Sequence, residues 1–447
     1  MENRFMDQYK SKLITAEEAA KLVKSGHWVE YGATINCPCD FDEALSKRKD
    51  ELTDVKIRSA IGPYRHFTID ADPSAEHFVW SSWHHAGQDR KYIGTKSLYF
   101  CPMNLSELPR MTRQDAIPTD IFVIQTTPMD KHGYFNFGAS AIHAMSVIET
   151  AKTVIFEIND KMPRGLGGNQ ECAHISQVDY VFESKSKAIA ALPTGEPGEE
   201  EKKIAEFIVG RMYDGNCIQL GIGGVPNAVG KMVAQSDLKD LGVHTEMYVD
   251  AYVDMCKAGK ITGARKRIDR YKQVYSFAMG SAEMYEFIDD NPGLAACSID
   301  YTNDPNVVAQ IDDFISINAA VEIDLFGQVC SESIGTRQVS GTGGQLDFVI
   351  GAYHSKGGQS FVCLPSTITI KGQTSSRIKP ILTPGSIVTD PRTCTHMIVT
   401  EYGIAYIKGQ NTWQRAENII NVAHPDFRDE LIQDAEKMNI WRKSNKR

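Results

Sequence analysis

The sequence lacks the features that mark several large classes of protein. No apolar run approaches the roughly 18 residues that a membrane-spanning helix needs. The N-terminal residues MENRFMDQYKSKL are polar, which argues against a signal peptide. The net charge is -9, and no basic block occurs beyond the short tail WRKSNKR. We therefore expect neither a membrane nor a nucleic acid as a partner.

Cysteine and histidine patterns exclude two further kinds of site. The ten cysteines are scattered, form no CxxC pair and are spaced too widely for a disulfide scaffold. This usage predicts a reducing, cytoplasmic location. Three histidines lie between His77 and Tyr92, but His84 and His85 are adjacent and their side chains face apart. We expect no metal site there.

The order of apolar and polar segments predicts an α/β fold with more than one domain. The 447 residues are enough for two or three cores, and 42% hydrophobic with 23% charged residues is ordinary for a globular protein. The first segments alternate between strand and helix patterns, which is typical of a doubly wound sheet. The stretch ALPTGEPGEEEKK reads as a linker. We place an N-terminal domain at residues 1–195 and a C-terminal domain at residues 196–447.

Two segments resemble each other at about half-chain spacing. Asp120–Gly138 and Phe314–Gly335 each contain an apolar strand, a polar turn with Asp and a return that includes glycine. This weak duplication predicts two similar open α/β domains. Residues 63–113 have an irregular, aromatic pattern. The stretch His77–Tyr92 is either a loop packed under the sheet or the wall or lid of a pocket.

Glu246 stands out within the stretch Leu241–Met255. It lies between Thr245 and Met247, with no Lys or Arg within four residues on either side. The pattern places it beyond the carboxyl end of a strand, where α/β proteins present functional side chains. A partly neutralised carboxylate near glycine amides can act as a nucleophile. The alternative is a surface or helix-capping glutamate.

Three glycine clusters in the second half are candidate anion sites. GIGGVP (221–226) follows a strand, but Pro226 occupies the last glycine position of GxGxxG, so dinucleotide binding is disfavoured. SGTGGQLDF (340–348) and SKGGQSF (355–361) also expose backbone amides. Each cluster is either a tight turn or a set of amides that faces an anion or a thioester oxygen.

Several motifs together resemble one enzyme family. HTEMYVDAYVDM, LGIGGVPNAVG, SGTGGQLDFVIGAYHSKGGQSFVCLPST, VTEYG, PMDKHGYFNFG and MPRGLGG are similar to segments of the acetyl-CoA hydrolase/transferase group of family I CoA-transferases. The likeness runs from YKSKL to AHPDFRDEL, which is nearly the whole chain. Within the group it is strongest to enzymes that act on butyryl-CoA and acetate, with 4-hydroxybutyrate CoA-transferases as close relatives.

The resemblance implies two similar α/β domains with the active site in the cleft between them. It assigns Glu246 as the catalytic glutamate, Asn318 as a polar residue near the reacting carbonyl and Glu401 as a second active-site carboxylate. It also implies two CoA-binding loops, whose residues are Gly221, Ile222, Gly223, Gly224 and Val225 in the first and Gly343 and Gly344 in the second.

The implied reaction moves CoA from a short-chain acyl-CoA, with butyryl-CoA as the leading candidate, to acetate through a glutamyl-CoA thioester on Glu246. A 4-hydroxybutyrate CoA-transferase, an acyl-CoA hydrolase and a non-catalytic sugar-phosphate-binding protein are the alternatives. The CoA thioester is a substrate, and no tightly bound cofactor or metal is expected. The family suggests a homodimer or higher homo-oligomer. The departures from the family lie in ATINCPCDF and WSSWHHAGQDRKY, two candidate linings of the acyl pocket.

Overall fold

The computed structural model describes residues 2–114, 117–185, 188–192, 195–442 and 444. By contacts between Cα atoms the chain divides into two compact units. The first comprises residues 1–192 and 274–302, and the second comprises residues 193–273 and 303–447. The boundary expected between residues 195 and 196 stays a prediction, and the linker residues Pro193 and Thr194 lie outside the described residues.

The described residues up to 192 form nine strands and six α-helices. The strands are β1 (Trp28–Tyr31), β2 (Val55–Ser59), β3 (Phe78–Ser82), β4 (Leu98–Phe100), β5 (Ile121–Thr126), β6 (Tyr134–Asn136), β7 (Thr153–Ile158), β8 (Cys172–His174) and β9 (Tyr180–Glu183). The helices are α1 (Glu2–Lys12), α2 (Ala16–Lys21), α3 (Cys39–Ser46), α4 (Phe67–Ala71), α5 (Leu108–Arg113) and α6 (Ala144–Thr150). Short 3-10 helices cover Thr34–Asn36, Lys49–Glu51, Asp89–Lys91, Leu105–Glu107 and Ile175–Gln177.

Seven of these strands form a parallel sheet in the order β4-β3-β2-β1-β5-β7-β9. The first strand, β1, therefore lies inside the sheet, with β2 on one side and β5 on the other. Strand β5 is buried along its whole length, as its run of apolar residues predicts for a parallel strand covered on both faces.

Two local predictions for this segment can be compared with the structure. The capping box at the start of α2 is present, since the Thr15 hydroxyl accepts from the Glu18 amide at 3.1 Å and the Glu18 carboxylate accepts from the Thr15 amide at 2.8 Å. The region expected to be irregular contains a sheet strand, β3. Its Trp80 is a core residue that packs edge-on against Tyr31, with ring centres 5.5 Å apart. Phe78 and Trp80 of this strand are buried in the core, so the loop interpretation is wrong for residues 78–82.

The next segment contains α7 (Glu199–Val209), β10 (Cys217–Leu220), α8 (Gly224–Gln235), β11 (Gly242–Tyr248) and α9 (Asp250–Lys257). The segment after it carries β12 (Gln273–Ala278), α10 (Ala282–Ile288), β13 (Leu294–Ala296) and α11 (Ile299–Thr302). The remaining helices are α12 (Pro305–Val308), α13 (Gln345–His354), α14 (Thr412–Asn421) and α15 (Pro425–Lys437). The remaining strands are β14 (Phe314–Ala319), β15 (Glu322–Asp324), β16 (Val329–Cys330), β17 (Ser333–Ile334), β18 (Arg337–Gln338), β19 (Gln359–Cys363), β20 (Thr367–Ile370), β21 (Gln373–Ser376), β22 (Ile378–Lys379), β23 (Met397–Thr400) and β24 (Gly403–Tyr406).

The second unit repeats the strand arrangement of the first. In the described part of this unit, six strands lie in one sheet in the order β11-β10-β14-β19-β23-β24, parallel except for β24. Strand β10 lies between β11 and β14, as β1 lies between β2 and β5. The two segments that resemble each other in sequence contain β5 and β14, which occupy corresponding places in their sheets. The predicted α/β class is confirmed. None of the helices in the described part of the chain is long and apolar enough to cross a membrane.

Candidate active site

Glu246 lies inside strand β11, near its carboxyl end. The sequence pattern predicted that the strand stops before His244, but it continues to Tyr248. His244 and Thr245 are fully buried, whereas Glu246 keeps part of its surface exposed. The Thr245 hydroxyl donates to the Leu220 carbonyl at 3.4 Å, which ties this part of β11 to the end of β10. Thr245, the residue before Glu246, is thus bonded to Leu220, which is the last residue of β10 before the glycine loop at residues 221–225.

Two donors hold the Glu246 carboxylate. The Asn303 side chain donates from Nδ2 to Oε2 at 2.5 Å, and the Gly344 backbone N–H also donates to the carboxylate. Burial raises the pKa of Glu246 to about 7, and both hydrogen bonds oppose that rise because they favour the charged form. The carboxylate is thus poised between its two protonation states near neutral pH.

Gly344 permits this arrangement because it has no side chain. A Cβ atom at residue 344 would lie 2.1 Å from Glu246 Oε2 and 2.1 Å from Asn303 Nδ2. Gly344 is also the N-cap residue of α13, so its amide lies at the N-terminal end of a helix. The neighbouring Gly343 has a φ of +55°, a conformation that favours glycine. The structure brings the second predicted loop to Glu246 through Gly344.

Asn303 was missed in the sequence. It lies 57 residues after Glu246 and is completely buried. The surrounding letters TNDP indicate a helix start, and Asp304 does cap α12 by accepting from the Asn306 amide at 2.8 Å. That local role of Asp304 accounts for the motif, so no local signal identified Asn303 as a partner of Glu246.

The first glycine loop, residues 221–225, joins β10 to α8. The Gly221 amide donates to the Ile317 carbonyl at 3.0 Å, and Gly223 has a φ of +118°. Ile222 is 55% exposed, whereas Val225 is buried at the start of α8. A Cβ atom on Gly224 would lie 2.0 Å from the Glu201 side chain. The loop therefore offers exposed backbone, with a carboxylate packed against the first residue of α8.

Asn318 lies beside the first glycine loop. It exchanges two side-chain hydrogen bonds with Gln219, at 3.2 and 3.3 Å. A Cβ atom on Gly221 would be 3.7 Å from Asn318 Oδ1. These contacts link Asn318 to Gly221 rather than to Glu246. Its role near a reacting carbonyl stays a prediction.

Glu401 lies in the turn between β23 and β24. Its carboxylate accepts hydrogen bonds from the Ser366 amide, at 2.9 Å, and from the Ser366 hydroxyl. Both hydrogen bonds come from Ser366, and neither links Glu401 to Glu246. Its role as a second active-site carboxylate stays a prediction.

These side chains nevertheless follow one rule of the fold. Glu246, the 221–225 loop, Asn318 and Glu401 come at or near the carboxyl ends of β11, β10, β14 and β23, four parallel strands of one sheet. Ligands of open α/β sheets bind at this edge. The predicted position of the site in a cleft between domains stays a prediction.

Comparisons with known proteins agree with the motifs. The family model of the acetyl-CoA hydrolase/transferase N-terminal domain matches residues 1–193, and that of the C-terminal domain matches residues 280–435. A probable butyrate:acetyl-CoA coenzyme A-transferase of Syntrophomonas wolfei is 68% identical over 446 residues, covering 100% of both chains. A butyryl-CoA:acetate CoA-transferase of Anaerostipes caccae is 54% identical, covering 99% of this chain and 100% of the relative.

A solved structure extends the agreement to the fold. The crystal structure of RipA from Yersinia pestis superposes with a TM-score of 0.90 at 36% identity, covering 98% of this chain and 99% of the other. Sequence and fold thus agree over almost the entire length. The chain belongs to the acetyl-CoA hydrolase/transferase family.

Proposed function

We propose that the protein is a CoA-transferase that moves CoA from butyryl-CoA to acetate, and in the reverse direction, through a glutamyl-CoA thioester on Glu246. The substrate pair is taken from the names of the two full-length relatives. The observation that carries the mechanism is the Glu246 carboxylate, partly exposed and held by Asn303 and the Gly344 amide.

The first step uses Glu246 as a nucleophile. One carboxylate oxygen attacks the thioester carbonyl, the C–S bond breaks, and CoA leaves as the thiolate, giving a mixed anhydride. Because Oε2 is engaged by Asn303, Oε1 is the oxygen available for attack. A carboxylate suits this chemistry because the anhydride stays reactive, whereas a Ser or Cys nucleophile would keep the acyl group as an ester or thioester.

The second step forms the enzyme-bound thioester. The CoA thiolate attacks Glu246 Cδ, the bond from Cδ to the bridging oxygen breaks, and the donor acid leaves as its carboxylate. While Cδ is tetrahedral, negative charge collects on Oε2. Asn303 Nδ2 and the Gly344 N–H already point at this carboxylate. Donors placed where charge develops lower the barrier, and the loss of one such donor typically costs about 10²–10³-fold in rate.

The acceptor then reverses the sequence. Acetate attacks the glutamyl thioester, CoA leaves and returns to the acetyl carbonyl of the new anhydride, and Glu246 is regenerated. We assign the 221–225 loop and Asn318 to the acyl-CoA carbonyl, since they lie together at the carboxyl edge of the sheet. Glu401 is assigned to the acceptor side. Cytoplasmic location and homo-oligomeric assembly stay predictions.

Trapping the intermediate tests the proposal. The protein is incubated with butyryl-CoA, quenched and digested, and the peptide that contains Glu246 is analysed by mass spectrometry for a CoA adduct that hydroxylamine or borohydride removes. We expect the adduct on Glu246 and none in Glu246→Gln. An adduct elsewhere, or full turnover in Glu246→Gln, contradicts the proposal.

Acceptor dependence separates transfer from the alternatives. Free CoA and acetyl-CoA formed from butyryl-CoA are both measured with and without acetate. A hydrolase releases free CoA without an acceptor, whereas a transferase forms acetyl-CoA only when acetate is present and releases little free CoA. A panel of donors that includes 4-hydroxybutyryl-CoA, compared by kcat/KM, ranks the acyl groups. Preference for 4-hydroxybutyryl-CoA would replace the proposed donor but keep the mechanism.

A further inference from the structure

Two buried carboxylates lie behind the glycine loop that faces Glu246. Glu332 is 2% exposed and Asp390 is completely buried. Neither residue belongs to the catalytic machinery described above. The glycine loop, residues 340–345, lies between them in the sequence and contains Gly343 and Gly344. Buried carboxylates are expensive unless they are paired or hydrogen-bonded, so their placement requires an explanation.

Glu332 holds the loop on the side before the glycines. Its Oε1 accepts from the Thr342 and Thr389 hydroxyls, both at 3.0 Å, and its Oε2 accepts from Gln338 Nε2 at 2.9 Å. Its backbone carbonyl also accepts from the Val339 and Ser340 amides. Side chain and backbone of one residue thus bind the loop just before Gly343.

Asp390 holds the loop on the side after the glycines. Its Oδ2 accepts from Gln345 Nε2 at 2.7 Å, and the same Nε2 lies 2.8 Å from the Ser331 hydroxyl. Asp390 Oδ1 has no hydrogen-bond partner within the described residues. Burial and the nearby Glu332 raise the pKa of Asp390 to about 7. Keeping this buried carboxylate next to Gln345 is electrostatically unfavourable for the folded protein.

We propose that Glu332 and Asp390 are positioning residues that fix Gly344 against Glu246 through Thr342 and Gln345. We call Glu332, Asp390, Thr342 and Gln345 the carboxylate clamp. Thr342 and Gln345 flank the two glycines, so the clamp grips the loop at both ends and leaves the Gly344 amide to face the nucleophile. Two adjacent glycines would otherwise leave the loop flexible.

The proposal rests on the proposed function for its effect on turnover. A Gly344 amide that moves away from the Glu246 carboxylate stabilises the tetrahedral species less. Ground-state binding of the acyl-CoA changes less, because the 221–225 loop is assigned to the acyl-CoA as well and is untouched by the clamp variants. The clamp therefore acts on kcat more than on KM. It also acts on the free enzyme, because the Gly344 hydrogen bond lowers the pKa of Glu246.

The test combines Thr342→Val with Gln345→Met, which removes both clamp donors at nearly constant volume. The matched control is Thr383→Val, which removes a hydroxyl bond of 2.7 Å to the Glu322 carboxylate in the same unit. We expect the double variant to lose about ten-fold or more in kcat with a KM for acyl-CoA within about three-fold of wild type, since small misplacements of catalytic groups are costly. The control stays within about two-fold in kcat.

A second readout needs no turnover. The pKa of Glu246 is measured by carboxyl carbon NMR on glutamate-labelled protein, with Glu246→Gln to assign the signal. We expect a higher Glu246 pKa in the double variant than in wild type, and no change in Thr383→Val. If the double variant does not fold, the two single variants are measured in the same way.

The outcomes separate the two proposals. A wild-type protein that transfers no CoA refutes the proposed function, and the clamp is then judged by the Glu246 pKa alone. An unchanged Glu246 pKa in folded variants overturns the clamp, as does a rise in KM with kcat intact. An equal loss of kcat in Thr383→Val would also overturn it, because the effect would then be general destabilisation.

Discussion

Two glutamates in this protein have the same raised pKa but differ in how far their side chains are exposed. Burial raises the pKa of Glu157, in β7, and of Glu246, in β11, each to about 7. Glu157 is fully buried, and its carboxylate accepts from Gln125 Nε2 at 2.8 Å, the Ser184 hydroxyl at 2.9 Å and the Phe41 amide at 3.3 Å. Glu246 has a side-chain donor and a glycine amide, and part of its surface is exposed. A shifted pKa reports burial, and accessibility decides whether the group can react.

The largest expected effect comes from exchanging each glutamate for glutamine. Glu246→Gln removes the carboxylate that we propose as the nucleophile, so kcat should fall at least about 10³-fold. Glu157→Gln removes a charge that has no access to substrate, so kcat should stay within about three-fold. Steady-state transfer from butyryl-CoA to acetate measures both. If Glu157→Gln were the more damaging change, the distinction between the two glutamates would be wrong.

Adding one methyl group at Gly344 is expected to have the second largest effect. In Gly344→Ala the new Cβ would be placed 2.1 Å from both Glu246 Oε2 and Asn303 Nδ2, so the carboxylate and its donor must move apart. We expect kcat to fall about 10²-fold, because the reacting atoms lose their alignment. Gly87→Ala is the matched control, since no atom lies within 4 Å of its Cβ position. Comparable kcat values for the two alanine variants would contradict this assignment.

The third prediction concerns the pH profile and Asn303. In the proposed mechanism Glu246 attacks as the carboxylate, so kcat/KM should rise with pH up to about 7, the raised pKa, and level off above it. Asn303→Ala removes a hydrogen bond that lowers that pKa, so the rising limb should move to higher pH. The plateau rate should also fall, by about 10²-fold.

A neighbouring asparagine provides the control for that profile. Asn306→Ala removes a bond of 2.9 Å to Asp304 outside the Glu246 site and should leave the limb in place. A limb that stays fixed in Asn303→Ala would exclude Asn303 as a donor to the reacting carboxylate.

The smallest expected effect is on stability and concerns the buried Glu157. Burial raises its pKa to about 7 in the folded protein from an ordinary 4.5, so the folded protein keeps the Glu157 proton up to a higher pH than the unfolded chain does. The contribution of Glu157 to the free energy of unfolding is therefore constant below about pH 4.5. It becomes less favourable as the pH rises to about 7, by up to about 3 kcal/mol.

Comparing wild type with Glu157→Gln isolates this contribution. The difference between their thermal midpoints, wild type minus variant, should fall between about pH 4.5 and pH 8 and then stay constant, because the glutamine side chain of the variant does not titrate. Differential scanning calorimetry at matched pH values measures it. A difference independent of pH would mean that Glu157 has an ordinary pKa.

The sequence was sufficient for the α/β class, because alternating strand and helix patterns predicted the sheets. It also singled out Glu246, which the structure places beside Asn303 and Gly344, while the role of Glu246 as nucleophile stays a prediction. The predicted strand end was wrong because the polar residues His244, Thr245 and Glu246 suggested that the strand stops after Val243, whereas His244 and Thr245 are buried in β11. Strand β3 was missed because its tryptophan and serines suggested an irregular segment, although Phe78, Trp80 and Ser82 alternate toward the core.

Two residues of this comparison, Asn303 and Glu157, could not be recognised from their local sequence. Asn303 acts on Glu246 across 57 positions, and its neighbours already had a sufficient explanation as a helix cap. Glu157 stands in the strand pattern VIFEIN, where a charged residue among apolar ones indicates a buried group but does not identify its partners. Long-range hydrogen bonds are a property of the folded chain, and the pattern of one segment does not contain them.

The path of the chain through the second unit has a consequence for biosynthesis. The chain leaves this unit at residue 273 and returns at Asn303, the residue that donates to Glu246. During synthesis Glu246 therefore emerges from the ribosome before Asn303 and Gly344, the two residues that bond to its carboxylate. A polypeptide truncated before position 303 has the acid but not the partners that restrain it, so premature chains are expected to be inert toward thioesters.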